Sequence, residues 1–121
     1  MSMTVLTVDD SRTMREMLRL ALADAGFRVV QAEDGIHGLE VLQAELPQVI
    51  VTDINMPRMD GFGFIEEVRG DPRHRAIPIL VLTTESDAAK KQRARDAGAT
   101  GWIVKPFDPA KLIEAVRRVA A

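Results

Sequence analysis

The chain has no cysteine and no tyrosine, a single tryptophan, and no long apolar run. Without cysteine there is neither a disulfide framework nor a thiolate metal site, which fits a reducing compartment. No window approaches the ~20 consecutive apolar residues that a membrane span needs. The first residues, Met1-Ser2-Met3-Thr4, carry no basic leader or small-residue cleavage site, so a cytoplasmic protein is expected. Charge of one sign is also lacking: 16 Lys and Arg stand against 18 Asp and Glu, a net charge of −2. That balance gives no global attraction for nucleic acid or an anionic membrane surface. The stretch Gly61-Phe62-Gly63-Phe64 lacks the third glycine of a dinucleotide fingerprint, and no Gly-Lys-Ser or Gly-Lys-Thr marks a phosphate loop.

The 121 residues suffice for one domain that buries roughly 60 to 70% of its unfolded surface, and residues 1–121 are expected to form a single unit. Four apolar runs each end in a polar residue. Val5 to Val8 ends in Asp9-Asp10, and Val49 to Thr52 ends in Asp53. Ile77 to Leu82 ends in Thr83, and Gly101 to Val104 ends in Lys105. A fifth run, Phe27 to Ala32, reads as a short strand. Between the strands lie helical spacings. Met14, Met17, Leu18, Ala21, Leu22 and Ala25 form one stripe stopped by Gly26. Ile36, Leu39, Leu42 and Leu46 form another before Pro47, and Phe62, Ile65 and Val68 a third. Ser86 to Ala97 is a good helix former with a thin apolar face, expected to be the most loosely packed; Pro109 opens a last helix with Leu112, Ile113, Val116 and Val119 inward. Strand runs that are continuous rather than alternating point to an α/β fold with a doubly wound, five-stranded parallel sheet covered on both faces.

Open parallel sheets place their chemistry at the carboxyl ends of the strands. Singly, each rim residue has an ordinary reading: Asp10 or Ser11 as a helix cap, Thr83 as a strand end, Lys105 as a snorkelling lysine. His37 and His74, without acidic or histidine neighbours at metal spacing, read as surface residues. Together, three acids, a hydroxyl and an ammonium on one rim are not explained by capping. Three carboxylates several Å apart repel by roughly 4 kcal/mol per close pair at an effective dielectric of about 20, so they need a counterion. Mg²⁺ suits one or two carboxylates plus a phosphate oxygen. With Mg²⁺ and Lys105 in balance, Asp53 stays ionised and nucleophilic, and Thr83 and Lys105 are placed to contact phosphoryl oxygens.

Val8-Asp9-Asp10-Ser11-Arg12, Asp53-Ile54-Asn55-Met56-Pro57, Asp60-Gly61, Leu82-Thr83-Thr84-Glu85 and Val104-Lys105-Pro106-Phe107 resemble the motifs of response-regulator receiver domains, in order and over the whole chain. Asp10 to Arg15 and Asn55-Met56-Pro57 resemble the single-domain chemotaxis regulators, CheY-like proteins, of that family. The resemblance implies a flavodoxin-like (βα)5 fold with strand order 2-1-3-4-5 and a cis Lys105–Pro106 bond. It implies that Asp53 accepts phosphate from a histidine kinase. Asp10, Asp53 and the Asn55 backbone carbonyl ligate Mg²⁺, with Asp9 acting partly through water, and Thr83 and Lys105 bind the phosphoryl group. Asn55 and Glu85 occupy positions that tune its lifetime. Trp102 stands where the family usually has Tyr or Phe, which leaves the site chemistry intact but puts the switch geometry in question.

The function expected is a monomeric signalling phosphoacceptor that phosphorylates and dephosphorylates itself rather than turning over a substrate. Its partners would be a histidine kinase and a flagellar motor switch protein, the latter bound through the fourth helix, fifth strand and fifth helix. There Lys90, Lys91, Arg93, Arg95, Arg117 and Arg118 gather, either as a docking patch or as a solvated helix face. The alternatives are a phosphate sink or phosphorelay shuttle, and a Mg²⁺-dependent aspartyl-phosphate phosphohydrolase. The haloacid dehalogenase pattern needs a second Asp two residues after the nucleophile, where Ser11 and Asn55 stand.

Overall fold

A computed structural model describes residues 3–121. The chain alternates β1 (Thr4–Val8), α1 (Arg12–Asp24), β2 (Arg28–Ala32), α2 (Gly35–Glu45), β3 (Val49–Thr52), α3 (Gly61–Gly70), β4 (Ile79–Thr83), α4 (Ala88–Ala97), β5 (Gly101–Val104) and α5 (Pro109–Ala120). All strands run parallel in the order β2-β1-β3-β4-β5. The expected doubly wound sheet and its order are both found.

Successive strand residues point to opposite faces, so each central strand feeds two cores. Val5, Val49, Val51, Leu80 and Leu82 pack with Leu18 and Leu22 of α1 and with Leu112 and Val116 of α5. Leu6, Val8, Ile50, Ile79 and Val81 pack with Leu42 of α2, Phe62, Phe64, Ile65 and Val68 of α3, and Ala94 of α4. Burying one such aliphatic or aromatic side chain contributes about 1.5 to 3 kcal/mol, so these two layers dominate stability. β1, β3 and β4 are buried along their whole length. The edge strands differ from the expectation of full cover: both cores reach β2 and β5, through Val30 and Trp102 on one face and Val29 and Ile103 on the other, but these strands are only partly buried, and Val104 is 43% exposed.

Every helix starts on a side-chain cap. Ser11 accepts from the Met14 N–H, Asp34 from His37, Asp60 from Gly63, Asp87 from Ala89 and Asp108 from Ala110. The caps satisfy amide groups that otherwise lack partners and end each strand-to-helix loop at a fixed point. Ser11, not Asp10, is therefore the cap of α1. α4 begins at Ala88 behind Asp87, two residues later than the composition indicates, because the aspartate competes well for the cap.

Two further expectations are corrected. Leu46 is no part of the α2 stripe: it sits after the helix in a left-handed conformation (φ 46°), 63% exposed, because Pro47 bars continuation. His74 is not a surface residue. It is 2% exposed in the turn between α3 and β4, with Nδ1 3.3 Å from an Asp71 carboxylate oxygen and Nε2 without a partner. His37 is half-buried, and its Nδ1 accepts from the Glu33 N–H.

Candidate functional site

The ladder continues past the strand ends and sets the rim residues. The Asp9 N–H donates to the Ala32 carbonyl (3.1 Å), Asp53 N–H to Val8 (2.9 Å), and Lys105 N–H to Thr83 (2.7 Å). Asp9, Asp53, Thr83 and Lys105 are therefore held by backbone before any side chain makes a contact. Lys105–Pro106 is cis, as the family resemblance implied.

Lys105 is no snorkelling lysine. Its Nζ donates to Asp9 Oδ2 at 2.8 Å and to Asp53 Oδ2 at 3.0 Å, with side-chain exposures of 9%, 2% and 12% for Lys105, Asp9 and Asp53. The other Asp9 oxygen accepts from the Ser11 N–H at 2.9 Å, and Asp53 Oδ1 accepts from Ile54 N–H at 2.6 Å. Asp10 lies exposed beside them, and Asp9, Asp10 and Asp53 each offer a carboxylate oxygen within 4.8 Å of the others. Three carboxylates facing one ammonium leave an excess of two negative charges in a partly desolvated cleft. The donors are all hard oxygens. Charge and donor type both fit one divalent cation such as Mg²⁺.

Burial pushes the Asp9 carboxyl up from its ordinary pKa and outweighs the opposing bond from Lys105. For Lys105, burial pulls the ammonium down, but the bonds from Asp9 and Asp53 prevail and hold it above its usual value. Lys105 is thus a fixed cation at neutral pH, aimed between two acids.

Thr83 is fully buried at the end of β4, its hydroxyl accepting from the Glu85 N–H at 3.3 Å. Glu85 is engaged with Lys90 at 3.0 Å. Asn55 is exposed in the loop that follows Asp53. Trp102, one strand over and opposite Val81, is half-buried against the α3 and α4 core, where Lys91, Arg95 and Thr100 share its recess. The expected basic patch is narrower than the sequence indicates. Arg93 lies over the Phe62 ring at 4.0 Å, Arg117 donates to the Ala25 carbonyl, and Lys90 and Arg118 pair with Glu85 and Glu114. Lys91 and Arg95 remain as exposed cations of α4 beside Trp102.

Some positioning groups have little or no sequence signal. Arg15 donates from Nη1 to the Asp9 carbonyl at 2.7 Å, across one turn of α1. Gly61 belongs to the Asp60-Gly61 pair, and the structure gives the reason for glycine: a Cβ there would lie 2.3 Å from the Asp53 carbonyl and 2.8 Å from Ile54 Cα. The start of α3 thereby presses on the backbone of Asp53. Arg58, in the same loop, is left-handed (φ 64°) and bonds both oxygens of Asp34, at 2.8 and 3.1 Å.

The whole assembly matches known proteins. The chain is 42% identical over 114 residues to chemotaxis protein CheY1 of Helicobacter pylori, covering 93% of this chain and 92% of that protein. To the probable transcriptional regulator ycf27 of Guillardia theta it is 38% identical over 115 residues, which is 95% of this chain but 44% of that protein. The structure of chemotaxis response regulator CheY4 of Vibrio cholerae superposes with a TM-score of 0.92 at 44% identity, covering 98% of this chain and 99% of that one. The family described as response regulator receiver domain matches residues 5–117, which takes in every strand end that builds the rim. The chain belongs to that family, on its CheY-like side.

Proposed function

We propose that this receiver domain is a phosphorylation-controlled signalling module whose phosphoacceptor is Asp53. A carboxylate oxygen of Asp53 attacks the phosphorus of a phosphohistidine on a histidine kinase; the new O–P bond forms as the N–P bond breaks, and the histidine nitrogen leaves with the electron pair. The Lys105 bridge to Asp9 and Asp53 carries this reading, because it supplies a fixed positive charge where phosphoryl oxygens arrive. Lys105 and the Thr83 hydroxyl then hold those oxygens. Asp10, Asp53 and the Asn55 carbonyl would hold Mg²⁺, with Asp9 contributing partly through water. The ion neutralises charge on the phosphoryl group when bound. Asp10 is exposed while Asp9 is occupied by Lys105 and the Ser11 N–H, which supports Asp10 as the direct carboxylate.

The domain, residues 1–121, acts as a cytoplasmic monomer that accepts and releases the phosphoryl group by its own catalysis, with Asn55 and Glu85 tuning the lifetime. Withdrawal of the Thr83 hydroxyl toward the phosphoryl group vacates space for Trp102, which turns inward and alters the surface formed by α4, β5 and α5. The output partner is a flagellar motor switch protein that docks on that surface beside Lys91 and Arg95. Among the described residues no helix is long and apolar enough to cross a membrane.

Incubation with acetyl phosphate and Mg²⁺, followed by intact-mass measurement, tests the assignment. One added phosphoryl group on the native chain and none on Asp53→Asn are expected. A base-labile phosphate on Asp53→Asn at a comparable rate would remove Asp53 from this role.

A further inference from the structure

The loop between β3 and α3 carries both Asp53 and Asn55, yet its middle, Pro57 to Met59, is anchored on α2. Three contacts tie it there. Arg58 donates from Nε and Nη2 to the two oxygens of Asp34, and Asp34 is 8% exposed in its side chain. The Gly35 N–H donates to the Met59 carbonyl at 3.1 Å. Gly35 has no Cβ, and one built there would meet Met59 Cγ and the Met59 carbonyl at 2.7 Å, so the loop lies directly on the first turn of α2.

Arg58 reaches this position only by adopting φ 64°, a backbone conformation that side chains other than Gly, Asn and Asp rarely take. Such a residue persists where its surroundings over-determine it. Here the compensating contact is the two-pronged bond to Asp34, whose carboxyl is held below its ordinary pKa by the Arg58 guanidinium. Asp34 also caps α2 through the His37 N–H at 2.8 Å. One carboxylate thus fixes the start of α2 and the middle of the loop together.

We infer that the Arg58–Asp34 pair is a latch that positions the Asn55 carbonyl and Asp53 for the metal, so that α2, which offers no ligand, sets the affinity of the site. The inference rests on the proposed Mg²⁺ site. Arg58 and Asp34 are positioning residues: they act on the loop, not on the ion. Partners of this kind typically change metal affinity by roughly 10- to 100-fold when removed.

Mg²⁺ titration by calorimetry, without any phosphodonor, tests it on five proteins: the native chain, two single variants, their double variant and Asp10→Ala. Arg58→Asn keeps a residue that tolerates the left-handed conformation but lacks the fork. Asp34→Asn keeps a good cap but loses the charge. Each is expected to weaken Mg²⁺ binding about tenfold, and the double variant no further than the weaker single, because both break one contact. Exchange of the Gly35 N–H should quicken in each. Affinities of both single variants within twofold of the native chain, with Asp10→Ala losing binding, would overturn the latch and leave the metal site standing. No measurable binding by the native chain itself would overturn both. If Arg58→Asn fails to fold, Asp34→Asn decides alone, since it retains the α2 cap.

Discussion

α3 and α4 lie side by side on the same face of the sheet and are held by different forces. α3 buries Gly61, Phe62, Phe64, Ile65 and Val68, and its first residue touches the backbone of Asp53. α4, of equal length, buries Ala94 alone. It is tied instead by long polar arms: Arg93 over Phe62, Lys90 on Glu85, and Arg69 of α3 donating to the Gly98 carbonyl at its end. Close packing resists displacement because a shift of even a methylene's width is costly, whereas an exposed cation can move with its anchor at little cost. The helix beside Asp53 is packed as a frame, and the helix beside Trp102 is held by contacts that would let it shift. That division is what a receiver needs if the site is to stay fixed while an output surface changes.

The largest break in this comparison should come at Gly61. Gly61→Ala places a methyl against the Asp53 carbonyl, and backbone cannot give way as a flexible side chain would. A loss of about 3 kcal/mol in urea unfolding is expected, at the upper end of overpacking costs. Phosphorylation by acetyl phosphate should fall with it. A normal rate in a destabilised Gly61→Ala would mean that α3 supports the fold without framing Asp53.

The α4 side should respond less, even at its strongest tie. Arg69 donates to the carbonyls of Gly98, Arg75 and Ile77, joining the end of α3 to the turn after α4. Arg69→Met keeps much of the apolar stem and leaves these acceptors to water or to nothing, a cost of about 2 kcal/mol. The loss should appear in hydrogen exchange at Gly98 and Ala99 before it appears in α3. Equal exchange in both helices would erase the contrast between them.

A smaller effect, opposite in sign, is expected from the charge that the frame concentrates. Asp9 is raised above its ordinary pKa chiefly by burial. The folded state therefore binds this proton more readily than the unfolded chain, and stability without metal falls as pH rises from the unfolded value of about 3.8 through the raised one. Asp9→Asn should flatten that segment and leave the protein more stable at neutral pH, as read by melts from pH 4 to 8 in chelator. A less stable Asp9→Asn would mean that the bond to Lys105 outweighs burial.

How much of this was legible from residues alone follows from the kind of force involved. The rim was readable because β1, β3, β4 and β5 are each a continuous run that gives way to polar residues, and parallel pairing puts all four stops together. The thin face of α4 was readable for the same reason, since helical spacing exposes how few apolar positions it has. His74 was misplaced because burial of a single polar residue in a turn leaves no periodic trace. Arg58 with Asp34, and Arg69 with Gly98, join residues 24 and 29 positions apart through side chains whose composition looks like ordinary surface. The basic patch contracted on folding because Arg93 and Arg117 turned to an aromatic ring and a carbonyl, choices that spacing does not encode.

The smallest expected effect lies at Arg93, and it bears most directly on whether α4 is the element that moves. The guanidinium sits 4.0 Å from the centroid of Phe62, itself part of the α3 core, so beside the buried Ala94 it joins the middle of α4 to the frame by its side chain. An exposed cation–π contact contributes about 0.5 to 1 kcal/mol. Arg93→Ala should therefore barely shift the unfolding midpoint, since alanine is also the best helix former and offsets part of the loss. Its effect should be local. Amide exchange along α4 should quicken while that of α3 stays the same, and Trp102, half-buried under α4, should become more open to quenching by acrylamide. In the beryllofluoride complex with Mg²⁺, where inward packing of Trp102 is expected, the difference in quenching between Arg93→Ala and the native chain should shrink. A Trp102 whose quenching is the same in both proteins and both states would mean that its environment does not depend on how α4 is held, and α4 would then have to be treated as part of the frame.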